Sequence, residues 1–162
     1  EFVDENRKES KYWRDIGDLD SFYDANMDLI QVSPIFNLYD LEWPIHTYRQ
    51  PGPPAKTVFD VPGRRGEAIN SLLSTGVIVS GSLVERSILA SHVFVGDHCH
   101  ITDSILMPNV EVGENCKIYR AIIDEGVVIP PEVEIGVDPA EDAKRFTISK
   151  GGVIVVPSGF AF

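Results

Sequence analysis

Asp15 stands in the run Tyr12-Trp13-Arg14-Asp15-Ile16-Gly17, between a bulky aromatic pair and a glycine turn, just ahead of a helix start. A carboxylate there offers oxygen donors to a hard cation, or pairs with Arg14, or caps the helix, and spacing alone leaves the three open. His92, His98 and His100 carry the residue type used for acid-base work near neutral pH or for metal binding. Cys99 and Cys116 lack the paired spacing of a zinc site and are too few for a disulfide scaffold, so both are expected to be reduced, buried thiols. Arg49, Lys56, Arg64 and Arg65 could meet a phosphate, although a solvated loop accounts for them as well.

The elements that must position these groups are written in an internal repeat. Large aliphatic residues fall at Ile78, Val84, Leu89, Val95, Ile101, Leu106, Val112, Ile118, Ile123, Ile129 and Ile135, in steps of six, six and five that close every 17 residues. Two residues before them runs a second class of small or β-branched residues: Ser82, Cys99, Cys116 and Val133; Val93, Val110 and Val127; Ser87, Ser104 and Ala121. Alternation with a period of two means short strands with one face inward. Gly96, Gly113 and Gly136 follow the aliphatic position, where a residue without a Cβ relieves a sharp corner. Three strands per coil with a turn between each pair describe a triangular solenoid whose coils stack through parallel hydrogen bonds. An antiparallel sandwich also has short alternating strands, but its hairpins would not hold a fixed period.

In that register Cys99 and Cys116 are inward neighbours one coil apart. His98 and His100 flank Cys99, so both point outward at a corner. Surface histidines are the plain reading, and the chemical alternative is a coil-edge general base serving acyl transfer from coenzyme A. Upstream, Leu19, Phe22, Tyr23, Asn26, Leu29 and Ile30 recur at helical spacing behind Asp18, predicting an amphipathic helix over 18–31 that Pro34 ends. Pro51-Gly52-Pro53-Pro54 reads as a linker over 51–70, dividing residues 1–50 from a solenoid domain at 71–162. The polar stretch after Ile135 is expected to cap the column, and Val153–Val156 reads as a last strand.

Acidic residues outnumber basic ones 25 to 14 in 162 residues, a net charge of −11 that argues against nucleic acid as a partner. A hydrophobic content of 43% excludes disorder. No apolar run approaches the roughly 18 to 20 residues of a membrane span, and no basic leader opens the sequence, so the expectation is a cytoplasmic protein without a membrane partner. The chain opens on Glu1 rather than Met, which suggests a piece of something longer.

The run from Lys11 to Ile30, with Trp13-Arg14-Asp15 at its head, resembles the end of the catalytic domain of the bacterial glucose-1-phosphate adenylyltransferases. The likeness continues through Asn37-Leu38-Tyr39-Asp40, Trp43-Pro44-Ile45, Pro53-Pro54-Ala55-Lys56, the repeat, Ala121-Ile122-Ile123-Asp124, Val128-Ile129-Pro130-Pro131 and the stretch from Arg145 to Val153. The resemblance implies a mainly β fold, a left-handed parallel β-helix preceded by a short helical part of the catalytic domain. Such solenoids are an exception to the right-handed crossover rule. It implies an enzyme that makes ADP-glucose and pyrophosphate from ATP and glucose 1-phosphate for glycogen synthesis. The nucleotide would be held by a domain whose Gly-rich phosphate loop has no counterpart here. In the family the aspartate matching Asp15 is one of two carboxylates that hold the catalytic Mg²⁺, with Tyr12, Trp13 and Arg14 in its surroundings; the second carboxylate falls outside this chain. A homotetramer and a phosphorylated allosteric effector are further implications. There the chain departs from enterobacterial relatives: Glu125 occupies the place of a basic effector-binding residue, and Pro157–Phe162 lacks their terminal arginines, so that effector site does not carry over. The alternatives from other classes are a stand-alone hexapeptide acyltransferase, expected as a trimer, and a non-catalytic interaction module.

Overall fold

The structure, a computed structural model, describes residues 13–46, 48 and 51–162. Three stacks of mostly parallel strands form the three faces of a solenoid. The first face stacks Lys56–Val58, Ile78–Ser80, Phe94–Val95, Glu111–Val112 and Val128–Ile129. The second stacks Glu67–Ile69, Leu83–Glu85, His100–Thr102, Lys117–Tyr119 and Glu134–Ile135. The third stacks Leu72–Leu73, Ile88–Leu89, Ile105–Leu106, Ala121–Ile123 and Ile154–Val156, with Thr147–Ile148 antiparallel at its edge. The parallel coils of the repeat are as expected. Val84 lies over Ile101 and Ile118, and Leu89 over Leu106 and Ile123. These side chains are fully buried, so the axis of the solenoid is a continuous aliphatic column.

One register differs. Val79, not Ile78, aligns with Val95, while Ile78 aligns with the exposed Phe94. The corner after Val79 is one residue shorter than its successors, and Gly81 turns it at φ +53°. Val77-Ile78-Val79 is aliphatic on both pleat faces, so hydrophobicity cannot choose between the two registers there; the corner does. The segment 51–70 also differs from a plain linker. Lys56–Val58 and Glu67–Ile69 are strands of the first coil, and between them a hairpin of Asp60–Val61 and Arg64–Arg65 loops out.

Each corner is turned by a residue with positive φ, and these residues recur with the coil. His92 at 62° stands one coil before Asn109 at 60°; His98 at 59° precedes Asn115 at 59° and Glu132 at 65°; Arg86, Asp103 and Arg120 form the third column. The left-handed residue therefore comes two positions after Gly96 and Gly113. Those glycines are needed because the coils approach closely: a Cβ on Gly113 would stand 2.5 Å from Pro131 N. Buried serines satisfy backbone groups between coils. Ser82 Oγ accepts from Cys99 N (2.7 Å) and donates to the carbonyl of Gly96, and Ser104 Oγ accepts from Ala121 N (3.2 Å).

The expected cap forms at the far end. A short helix, Pro139–Arg145, starts at Asp138, whose carboxylate accepts from Ala140 N and Glu141 N. Phe146 enters the core and meets Phe160 at 5.2 Å between ring centroids. The final strand, Ile154–Val156, continues the third face beyond Ala121–Ile123. Asp142 is buried in this cap, accepting from Gly136 N at 3.0 Å, and burial raises its pKa. A carboxyl whose pKa is raised on folding stabilises the fold below its unfolded pKa, and that contribution is lost as pH rises through the folded pKa. Asp142→Asn keeps the acceptor without the charge. It should melt at or above the temperature of the parent chain at pH 7, with the difference vanishing near pH 3, as calorimetry at the two pH values would show.

The upstream helix, α1, spans Leu19–Asp28 and ends three residues earlier than expected. Leu29 N donates to Asn26 O and Gln31 N to Asp28 O, tightened bonds that close the last turn. Asp18 caps it, accepting from Ser21 N at 2.7 Å, and hydrogen bonding to Ser21 holds the Asp18 carboxyl below its ordinary pKa. Its apolar stripe lies on the outside of the third face. Tyr23 is buried with Ile105, Ile122 and Val153, flanked by Phe22 and Met27. No helix among the described residues is long and apolar enough to cross a membrane.

Candidate functional site

Residues 13–17 lead into α1 as an irregular strand of chain, with Trp13 and Ile16 exposed and Arg14 half-buried. Asp15 is exposed, and its Oδ1 accepts from Gly17 N at 3.0 Å, a local turn closed by the side chain. Of the roles the sequence left open, capping falls to Asp18, and no ion pair joins Arg14 to Asp15. The other carboxylate oxygen has no protein partner among the described residues, and an exposed, uncommitted oxygen is the donor a hard cation takes. No group of three or more potential metal-binding side chains occurs among the described residues. The Asp15 carboxylate offers one oxygen donor. Tyr12 lies outside the described residues.

What holds this loop is α1, and two of its side chains, Tyr23 and Asp20, fasten it to the solenoid. Tyr23 Oη donates to Asp103 O at 2.6 Å, and Arg120 lies 5.0 Å over the Tyr23 ring. Burial raises the Tyr23 pKa, keeping the phenol protonated as that bond requires. The Asp20 carboxylate accepts from Gly151 N at 2.9 Å and from the Ser149 hydroxyl, both in the turn before the last strand. Arg120 Nη2 donates to Gly151 O at 3.2 Å. Tyr23 belongs to the helical stripe visible in the sequence. Asp20 carries no signal of its own, because its partners lie more than 120 residues away.

Several of the remaining candidates have partners or roles within the fold. His92 and His98 occupy the left-handed corner positions that the repeat assigns to Asn109 and Asn115, a conformation that Asn, Asp and His adopt more readily than most residues. His100 points outward as expected, from a strand rather than a corner. Its Nε2 lies 3.0 Å from Glu85 Oε2 and 3.1 Å from Thr102 Oγ1, and its Nδ1 lies 3.1 Å from Tyr119 Oη. Both of its ring nitrogens are taken, so His100 is not a free base. The Cys99 and Cys116 thiols are buried and bonded to the carbonyls of Gly113 and Pro130. The neighbouring Cys116 and burial both push the Cys99 pKa up.

The arginines of the hairpin are neutralised. Arg64 meets Asp97 at 2.7 Å and stacks 3.4 Å over Phe59; Arg65 meets Asp60 at 2.6 Å and Glu67 at 3.3 Å. Lys56 is exposed on the first strand, and Arg49 lies outside the described residues. Ser80, at 2.6 Å, and then Arg64 hold Asp97 below the ordinary carboxylate range. A depressed pKa stabilises the fold above the unfolded value and is lost as pH falls through the folded one. Amides of the hairpin should therefore be protected from hydrogen exchange at pH 7 and lose protection below about pH 4, whereas Asp97→Asn should be unprotected at both. Glu125, exposed at its corner, receives a long contact from Asn109 Nδ2 at 3.4 Å.

A parallel solenoid of six-residue steps with a helical segment seated on its third face defines a hexapeptide-repeat protein. Residues 53–156 match the family described as GlmU-like, C-terminal hexapeptide, and the chain belongs to that family. Among curated relatives, glucose-1-phosphate adenylyltransferase 2 of Vibrio cholerae is 54% identical over 151 residues, covering 93% of this chain and 37% of its own length. Glucose-1-phosphate adenylyltransferases of Rhodopirellula baltica and Koribacter versatilis are 47% and 46% identical, over 98% and 99% of this chain. The chain thus spans a little over a third of these relatives, their C-terminal part.

Proposed function

We propose that this chain is the C-terminal part of an enzyme that makes ADP-glucose and pyrophosphate from ATP and glucose 1-phosphate. The observation that carries the reading is the identity to the Vibrio cholerae adenylyltransferase over 93% of the chain, running through both the Asp15 segment and the solenoid. In this reaction a phosphate oxygen of the sugar attacks the α-phosphorus of ATP and the bond to pyrophosphate breaks, concentrating negative charge on the phosphoryl oxygens. Mg²⁺ supplies the neutralising charge when bound. Asp15 would give it one carboxylate oxygen, the Gly17 turn setting the direction of that oxygen and α1 its distance from the solenoid. The nucleotide and the second carboxylate belong to the part of the relatives outside this chain. Trp13, Ile16, Leu41 and Trp43, upstream of the solenoid, are exposed apolar side chains of the kind on which such a part would pack.

The solenoid serves assembly as a homo-oligomer, a tetramer, and regulation in this reading. Glu125, exposed and acidic where enterobacterial relatives are basic, repels a phosphate, so a phosphorylated effector would be held by other residues. The test is a chimera in which this chain replaces the matching C-terminal third of the Vibrio cholerae enzyme. It should release pyrophosphate from ATP in the presence of glucose 1-phosphate and Mg²⁺, while the 162-residue chain by itself forms no ADP-glucose and transfers no acyl group from coenzyme A thioesters. A folded chimera without turnover would overturn the reading.

A further inference from the structure

We infer that Asp20 is a positioning residue: by fastening the first turn of α1 to the turn at Ser149–Gly151, it sets where the Asp15 carboxylate stands. The inference rests on the reading of Asp15 as a metal-binding carboxylate. Asp20 is the second residue of the helix, five residues beyond Asp15, so its anchorage falls at the end of α1 from which the Asp15 loop departs. Both its oxygens are committed, one to the Ser149 hydroxyl and one to Gly151 N at 2.9 Å. The receiving turn is built for a carboxylate. Ser149 Oγ also accepts from Val153 N at 2.9 Å, which fixes it beside the residue that leads into the last strand, and Gly151 leaves room that a side chain would fill: a Cβ there would stand 2.6 Å from Asp20 Oδ1. Arg120 ties the same turn to the solenoid corner through Gly151 O and covers Tyr23, so the anchor at the start of the helix and the buried tyrosine one turn on belong to one junction.

Without the Asp20 anchor the helix would still be held by Tyr23 and the apolar stripe, but its first turn and the loop before it would be free to shift. A carboxylate displaced by a fraction of an ångström binds its metal less well while the fold survives. Support of this indirect kind is worth about 10-fold to 100-fold in metal affinity.

The chimera described above tests this with Asp20→Ala, Asp20→Asn, Gly151→Ala and the double variant Asp20→Ala with Gly151→Ala. In Asp20→Ala the Mg²⁺ concentration for half-maximal turnover should rise about 10-fold. Turnover at saturating Mg²⁺ should stay within about threefold and the melting temperature within about 2 °C, since hydrogen bonds at a partly exposed helix end contribute little to global stability. Asp20→Asn, which keeps an oxygen for Gly151 N–H, should recover most of the loss. Gly151→Ala evicts the carboxylate from the other side and should give the same shift, with no addition in the double variant. An unchanged Mg²⁺ requirement in Asp20→Ala, or additive shifts in the double variant, would overturn the inference. Asp15→Asn in the same chimera separates the two readings. If it alters the Mg²⁺ requirement while Asp20→Ala does not, the positioning role alone fails; if Asp15→Asn is silent, the assignment of Asp15 has failed and takes the inference with it. Hydrogen exchange on the 162-residue chain gives a readout independent of the metal: amides of residues 15–21 should exchange faster in Asp20→Ala, and equal rates would overturn the anchor itself.

Discussion

Val112→Asp unfolds the solenoid at neutral pH. Val112 is 1% exposed, stacked between Val95 and Ile129 on the first face, with no polar group of the column free to receive a carboxylate. Keeping the new carboxyl protonated at pH 7, about three units above its ordinary pKa, costs about 4 kcal/mol. Losing the buried valine adds about 1.5 to 3 kcal/mol. The total is comparable with the entire stability of an ordinary domain, about 5 to 15 kcal/mol. Because the pKa of the introduced group is raised, stability should partly return as pH falls toward 4. Glu114→Ala, two residues away and exposed, should melt with the parent chain. Asn115 separates two kinds of corner change: Asn115→Gly should be nearly neutral, but Asn115→Val forces a β-branched residue to φ near +59° and should cost about 1 to 2 kcal/mol. Thermal melts by circular dichroism order the four variants. Equal melting temperatures for Val112→Asp and Glu114→Ala would contradict the inward register of Val112.

In the chimera, Asp15→Asn lowers turnover by roughly 10² to 10³, about 3 to 4 kcal/mol of transition-state stabilisation, the scale of losing one pre-organised electrostatic element. The fold should hardly notice. Asparagine keeps the oxygen that accepts from Gly17 N, the side chain is exposed, and the helix keeps its own cap at Asp18, so stability should fall by less than about 1 kcal/mol. A purely structural Asp15 predicts the reverse ranking, with a lowered melting temperature and turnover almost intact. Measuring both quantities on one protein, with Mg²⁺ titrated, decides between them, and normal turnover at saturating Mg²⁺ would remove Asp15 from the site.

The solenoid was legible because every coil solves the same packing problem. A column such as Val84, Ile101, Ile118 and Ile135 must repeat in sequence if it is to stack in space, so the period carries the fold. Legibility ended where hydrophobicity stopped discriminating. At Val77-Ile78-Val79 either pleat face could be the inner one, and Gly81 decided it through the length of a corner. Lys56–Val58 and Glu67–Ile69 were hidden because a hairpin interrupts the first coil and breaks the period. The left-handed corners at His92 and His98 explain those residues by backbone conformation, a property that spacing alone does not display.

The sequence by itself determined the coil, its inward residues from Val84 onward, the amphipathic stripe of α1 and the carboxylate at Asp15, each a consequence of local periodicity or of a short motif. Only the tertiary structure decided that the helix lies on the third face, that Asp20 closes on Ser149 and Gly151, and that His100 spends both ring nitrogens on Glu85, Thr102 and Tyr119. Apart from His100 with Thr102 on one strand, these contacts join residues on different coils or at opposite ends of the chain. A polar side chain that meets its partner only after the coils have stacked leaves no periodic trace, because nothing nearby in the chain has to accommodate it.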